Sequence, residues 1–122
     1  MEDTLPGTDP LREQAEALGE LLRDHRGAGV AVMDIRKMNA WTDFFVIATA
    51  TSDTHLDGLE RHIKEFCHSR EIAVLRRSLK PKITPSHATP DEWRIIDLGS
   101  IVVHLMSEKA RAFYDLERLY SH

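Results

Sequence analysis

Seven histidines, one cysteine and a Gly99-Ser100 pair are the groups through which this chain could do chemistry. A glycine-serine turn followed by closely spaced acids would hold magnesium against a triphosphate, because octahedral magnesium is anchored by carboxylates. Gly99-Ser100 supplies the first half of that arrangement, but residues 101 to 106 are apolar except for His104 and no Asp-x-Asp follows. Phosphoryl transfer is therefore not expected. The chain also has neither a P-loop nor a dinucleotide-binding glycine pattern. His55, His62 and His68 fall on one predicted helix, yet none are three or four apart, so no two form the same-face pair that a helical zinc site uses. His62 and Cys67, five apart, point in different directions. The expectation is exposed histidines on a solvated face, with no metal and no cofactor. Cys67 lies within an apolar stripe and reads as a buried thiol; having no partner for an internal disulfide, it suits a reducing compartment.

Four polar or aromatic positions remain. Trp93 to Ile96 and Ile101 to Met106 are apolar runs flanking Asp97-Leu98-Gly99-Ser100, which reads as a tight turn between two strands. Asp97 opens that turn, where an aspartate accepts hydrogen bonds from backbone two residues on. The alternative for it is a partner contact. His104 sits between Val103 and Leu105, either as a satisfied core group or on a face left open to solvent. Trp93 could anchor an interface, since tryptophan buries a large area at low conformational cost, or simply pack in the core. A two-residue turn at Leu98-Gly99 would set Trp93 directly opposite His104 on one face. A three-residue loop with Gly99 left-handed would pair Trp93 with Val103 and turn His104 away. Leu98 resists the positive φ of the first option, so local chemistry favours the second. Asp43 precedes another apolar run, where it caps a turn or meets a partner.

The elements that must position these residues follow from periodicity. Leu11 to Arg26 carries an apolar stripe of Leu11, Ala15, Leu18, Leu21 and Leu22, with Gly27 as a stop. Val30 to Ile35 and Phe44 to Thr51 read as buried strands joined by a short connection, which suits antiparallel neighbours. Ser52 or Thr51 caps a helix with the stripe Leu56, Leu59, Ile63, Phe66 and Cys67, ending near Ser69. Ile72 to Leu75 suggests a short third strand. Arg76 to Glu92, with three prolines, reads as a long loop carrying the basic cluster Arg76, Arg77, Lys80 and Lys82. After the hairpin, Ser107 caps a final helix with Glu108 in its first turn and Phe113, Leu116 and Tyr120 at helical spacing. The order predicts an α/β fold, a mixed β-sheet flanked by helices. A net charge of −4 with 30% charged residues argues against nucleic-acid binding through bulk electrostatics. The acidic, proline-containing start is no signal peptide, and no apolar run approaches the roughly 18 residues of a membrane helix. A flexible tail over residues 1–10, one domain over 11–122 and a cytoplasmic location are expected.

Trp41 to Leu59 and Trp93 to Tyr120 together resemble the Iojap-related ribosomal silencing factor family. Thr42-Asp43-Phe44-Phe45-Val46-Ile47 is similar to its signature strand, and Thr51-Ser52 with His55 to the start of the helix after it. Trp93, Asp97, Gly99, Val103 and His104 match its second block, and Arg111, Tyr114, Leu116, Glu117 and Leu119 its closing helix. Three positions depart: Ala50 replaces the usual glycine, Tyr120 a common tryptophan, and the proline-rich loop before Trp93 lacks the usual Glu-Gly pair. The resemblance covers about Leu11 to Tyr120, apart from the loop between Arg77 and Asp91. It implies a nucleotidyltransferase-like topology without catalytic residues. It also implies a non-enzymatic repressor that binds the large ribosomal subunit through the ribosomal protein called L-fourteen and blocks joining of the small subunit. Homodimerisation is a further implied possibility; on a ribosome the basic loop could meet RNA phosphates, but a charged loop is usually only solvated, and that is the reading favoured for it. On this reading Trp93, Asp97 and His104 centre the partner-binding surface, with Asp43 and Tyr114 as secondary members. The alternative is a small nucleotide-using enzyme on the same fold.

Overall fold

The computed structural model describes residues 9–38, 40–75 and 92–119. Helix α1 (Pro10–Asp24) starts where Asp9 accepts the Arg12 N–H at 3.2 Å and proline occupies the first turn, so the helix begins one residue before Leu11. Strand β1 (Ala28–Asp34) leads through a 3₁₀ turn (Arg36–Met38) to strand β2 (Phe44–Ala50). Ser52, accepting the His55 N–H at 3.0 Å, caps helix α2 (Asp53–Ser69). Strands β3 (Trp93–Asp97) and β4 (Ile101–Ser107) form the hairpin, followed by short helices α3 (Glu108–Tyr114) and α4 (Leu116–Leu119).

The four strands form one mixed sheet in the order β1-β2-β4-β3. β1 runs antiparallel to β2, β2 parallel to β4, and β4 antiparallel to β3. Parallel pairing needs a long crossover, and α2 lies within it. The central strands are buried on both faces, which is why their sequences are continuous apolar runs, whereas edge strand β1 is only partly covered. On one face Phe44, Val46, Ala48, Ile101, Val103 and Leu105 meet the α1 stripe (Ala15, Leu18, Leu22) and the α2 stripe (Leu56, Leu59, Ile63, Cys67). Cys67 is a buried free thiol whose pKa is raised by that burial. The opposite face carries Phe45, Ile47, Val102 and Met106, packed with Ile35, Trp93, Ala110, Tyr114 and Leu116.

Two expectations change. Ile72 to Leu75 is no strand: Leu75 makes one isolated bridge, its N–H donating to the Asp97 carbonyl at 2.8 Å. The closing helix is two helices, because Asp115 takes φ 43° and redirects the chain. Phe113 is thereby left 64% exposed while Leu116 is buried. Arg111 fixes that break, bonding Glu117 and the Thr49 hydroxyl, both at 3.0 Å. The basic cluster from Arg76 to Lys82, and Tyr120, lie outside the described residues.

The N-terminal half of α1 is tied to β1 by ions. Arg36 bonds Asp34 at 2.7 Å and Asp9 at 2.9 Å, and Arg12 reaches Asp34 at 2.7 Å. The Arg36 hydrogen bond holds the Asp34 carboxyl down at about 2. Both long helices end in the same six-residue motif, with a non-glycine residue left-handed. Arg26 (φ 69°) precedes the Gly27 N–H bond to Leu22 O at 2.7 Å. Glu71 (φ 58°) precedes the Ile72 N–H bond to Cys67 O at 2.8 Å. A left-handed L-residue costs about 1 kcal/mol that glycine avoids. Glu71→Gly, removing an exposed side chain, is therefore expected to raise Tm by about 3 °C in a thermal melt; an unchanged or lower Tm would refute the strain at this cap.

Candidate partner-binding surface

The hairpin register differs from both sequence alternatives. Trp93 pairs with Met106, Ile95 with His104 and Asp97 with Val102, and the Leu98 N–H donates to Ile101 O at 2.8 Å. The turn is therefore Gly99-Ser100, with Gly99 at φ 91° in the first position, as a II′ turn requires. Trp93 and His104 share a face, but as diagonal neighbours. Asp97 Oδ1 accepts the Gly99 N–H at 2.8 Å, the local turn-closing role, and is buried.

Diagonal placement lets the indole N–H of Trp93 donate to His104 Nδ1 at 3.1 Å. His104 must then be neutral, with its proton on Nε2. That N–H is buried and has no hydrogen-bond partner among the described residues. Burial also pushes the His104 pKa from the ordinary 6.5 down to about 3. Phe45 stands edge-on to the imidazole at 4.5 Å between centroids, and Tyr114 packs on the indole at 4.5 Å. α3 makes this possible. Ser107, the last residue of β4, caps α3 at once by accepting the Ala110 N–H at 3.0 Å, so the helix folds back and delivers Tyr114.

This layer corrects one expectation. Trp93 is 8% exposed, His104 and Asp97 2% each, and Tyr114 7%, so none of the four projects outward and the indole is enclosed. The anticipated display fails because α3 folds back over this face and packs Tyr114 and Ala110 against the indole. Asp43 alone of the five expected residues is partly exposed, and its carboxylate has no hydrogen-bond partner among the described residues. Its backbone is fixed: the N–H donates to Ser100 O at 3.1 Å and the carbonyl accepts from Ile35 N–H at 2.9 Å.

The residue missed by the sequence reading is Trp41, 48% exposed and tilted against Phe45 at 5.9 Å. Between Trp41 and Asp43, Thr42 turns inward and donates its hydroxyl to the Gly99 carbonyl at 2.9 Å. That single bond locks the connection to the hairpin turn and leaves its two neighbours facing out. Partly buried Met33, Met38, Ala40 and Ile95 continue the apolar surface over the same layer. The usable signal was position: Trp41 lies in a polar connection, whereas Trp93 alternates with strand residues.

Gly99 and Ser100 are occupied by these turn contacts, and the residues after them are core. Among the described residues no group of three or more histidine, cysteine or acidic side chains could hold a metal.

Comparison with known proteins gives one family. The family model described as ribosomal silencing factor during starvation matches residues 8–122. A ribosomal silencing factor from Treponema pallidum is 39% identical over 109 residues, covering 87% of this chain and 88% of that protein. A chloroplastic Iojap protein from Zea mays is 29% identical, and this chain covers 87% of itself but only 42% of that longer protein. A solved structure from Chromobacterium violaceum superposes with a TM-score of 0.71 at 22% identity, covering 89% of this chain and 85% of the other, a likeness of fold.

The buried pair makes stability sensitive to acid. The unfolded chain takes up a proton at His104 as pH falls through 6.5 while the folded chain stays neutral down to about 3. Stability is thus fullest above 6.5 and falls by about 1.4 kcal/mol per pH unit across that window. His104→Gln, which keeps an acceptor but cannot titrate, should flatten the slope in urea unfolding between pH 6.5 and about 5; an equal slope would exclude His104 as its source. Trp93→Ala is expected to destabilise by about 3–5 kcal/mol, measurable in the same melts, through the cavity and the lost indole donor.

Proposed function

The chain belongs to the ribosomal silencing factor family, and from that membership we propose that it is a translational repressor that docks on the large ribosomal subunit through the protein called L-fourteen and sterically blocks joining of the small subunit. The observation that carries the docking reading is the pair Trp41 and Asp43, an exposed indole and an unpartnered carboxylate held outward by Thr42 on the end of a rigid sheet. An aromatic anchor on an ordered backbone is what a binding hot spot needs, and a patch of roughly 800 Å² per partner suffices for a specific complex. Trp93, Asp97, His104 and Tyr114 support that surface from beneath, fixing the hairpin and Phe45 on which Trp41 rests. The action is binding alone, in the cytoplasm, with no cofactor. Self-association through the same face would compete with the ribosome.

The test is co-sedimentation with purified large subunits and an assay of subunit joining. The native chain should co-migrate and inhibit joining. Trp41→Ala should weaken binding by about 30-fold, the loss of a hot spot worth about 2 kcal/mol, with Tm unchanged because the side chain is half exposed. Failure of the native chain to bind large subunits would refute the function; native-like binding by Trp41→Ala would refute the site. Magnesium with nucleoside triphosphates should leave Tm unchanged, whereas a rise would favour the enzymatic alternative.

A further inference from the structure

Three of the histidines meet in space although the chain separates them. His25 caps the C-terminus of α1, and its ring lies on that of His62 in α2 with centroids 3.5 Å apart and planes 13° from parallel. His55, almost two turns before His62 on α2, joins them through its Nε2, 3.0 Å from the His25 carbonyl. Its other nitrogen, Nδ1, lies 3.0 Å from the Thr51 backbone N–H. Those two partners fix the tautomer. A backbone N–H can only donate, so Nδ1 must be bare, and a carbonyl can only accept, so Nε2 must carry the hydrogen. The seam between the helices is therefore built for a neutral His55.

We propose that the His25–His55–His62 seam is a proton-sensitive latch that joins the C-terminal end of α1 to α2 when its imidazoles are neutral and releases it when they charge. A second proton on His55 would displace the Thr51 N–H. Protonation of both stacked rings would set two positive charges face to face. The charged groups around the seam do not cancel both. Glu65, on α2, lies 3.5 Å from His62 Nδ1 and can compensate one proton there. From the α1 end, Asp24 and Arg26 line the same open cleft of about 700 Å³ with opposite signs, and Thr51, Ser52 and Thr54 line it without charge. The cleft admits water, so the seam can exchange protons without unfolding.

Release would appear first in the hydrogen bonds that close α1. These are the Arg26 N–H to Arg23 O at 3.1 Å and the Gly27 N–H to Leu22 O at 2.7 Å. The experiment is native-state hydrogen exchange of the full chain at pH 7.5 and 5.5, corrected for the intrinsic pH dependence of exchange, in the native protein and in His62→Phe. Phenylalanine keeps a stacked ring but takes no proton. In the native chain, opening at Arg26 and Gly27 should increase about tenfold on acidification. In His62→Phe the increase should be several-fold smaller than in the native chain. His25→Phe, with the phenyl on the other side of the stack, serves if the first variant folds poorly. The acid response of His104 is common to all three proteins and cancels in the comparison. Equal acid responses in native and variant chains would overturn the latch, and so would no response in the native chain.

Discussion

Parallel pairing of β2 with β4 is the constraint from which the rest follows. Two neighbouring central strands that run the same way are hydrogen-bonded on both edges and must be covered on both faces. One face is covered by the apolar stripes of α1 and α2, a conventional solution. Among the described residues the other receives no long helix. It is closed by Trp93, Tyr114, Phe45 and the short α3, so large aromatic rings do the covering that helices do elsewhere. An aromatic cover only one side chain thick puts sheet, support and exposed Trp41 within a few ångströms of one another, giving a surface that is both apolar and stiff.

That economy explains a polar pair in an apolar layer. His104 accepts the indole proton and thereby fixes the orientation of Trp93, on which Tyr114 then packs. The remaining Nε2–H is left without a partner, a penalty of about 1–3 kcal/mol for a buried donor. An apolar residue at 104 would avoid that penalty but leave the indole N–H unsatisfied. Either residue leaves one buried donor unpaired, and histidine additionally defines where the indole points. The unpaired donor is thus the consequence of orienting a tryptophan under a surface.

Much of this was legible from the residues. The continuous apolar runs of β2 and β4 mark central strands, and Ser52 and Ser107 cap helices as their positions suggest. The α/β class and mixed sheet follow from the order of elements. Register was not legible because Asp97-Leu98-Gly99-Ser100 accommodates more than one turn, and glycine followed by serine suits a II′ turn one residue later than Leu98-Gly99. A shift of that size sets whether Trp93 lies opposite or diagonal to His104, whereas the burial of both comes from α3, whose return over this face is not encoded in the spacing of the strands. The break at Asp115 was hidden because Phe113 and Leu116 keep helical spacing across it; only Arg111 reaching Thr49 and Glu117 shows why the chain turns. The stacking of His25 on His62 joins residues far apart in sequence, and spacing within one helix could never have shown it.

The proposed docking surface and the histidine seam lie at opposite ends of the same two elements. β2 begins beside Asp43 and ends before Thr51, and its seven residues span about 23 Å. α1 begins at the ion cluster of Asp9, Arg12, Asp34 and Arg36, and ends at His25. Arg36 opens the connection that carries Trp41. β2 is paired along both edges and has one arrangement, so it cannot relay a change. α1 is held by side chains alone, through apolar contacts, the seam at one end and ion pairs at the other. A two-state element is what coupling between distant sites requires. Any influence of the seam on the docking surface must therefore pass through α1, and the exposed, salt-screened ion pairs at its start are the point where that influence would be weakest.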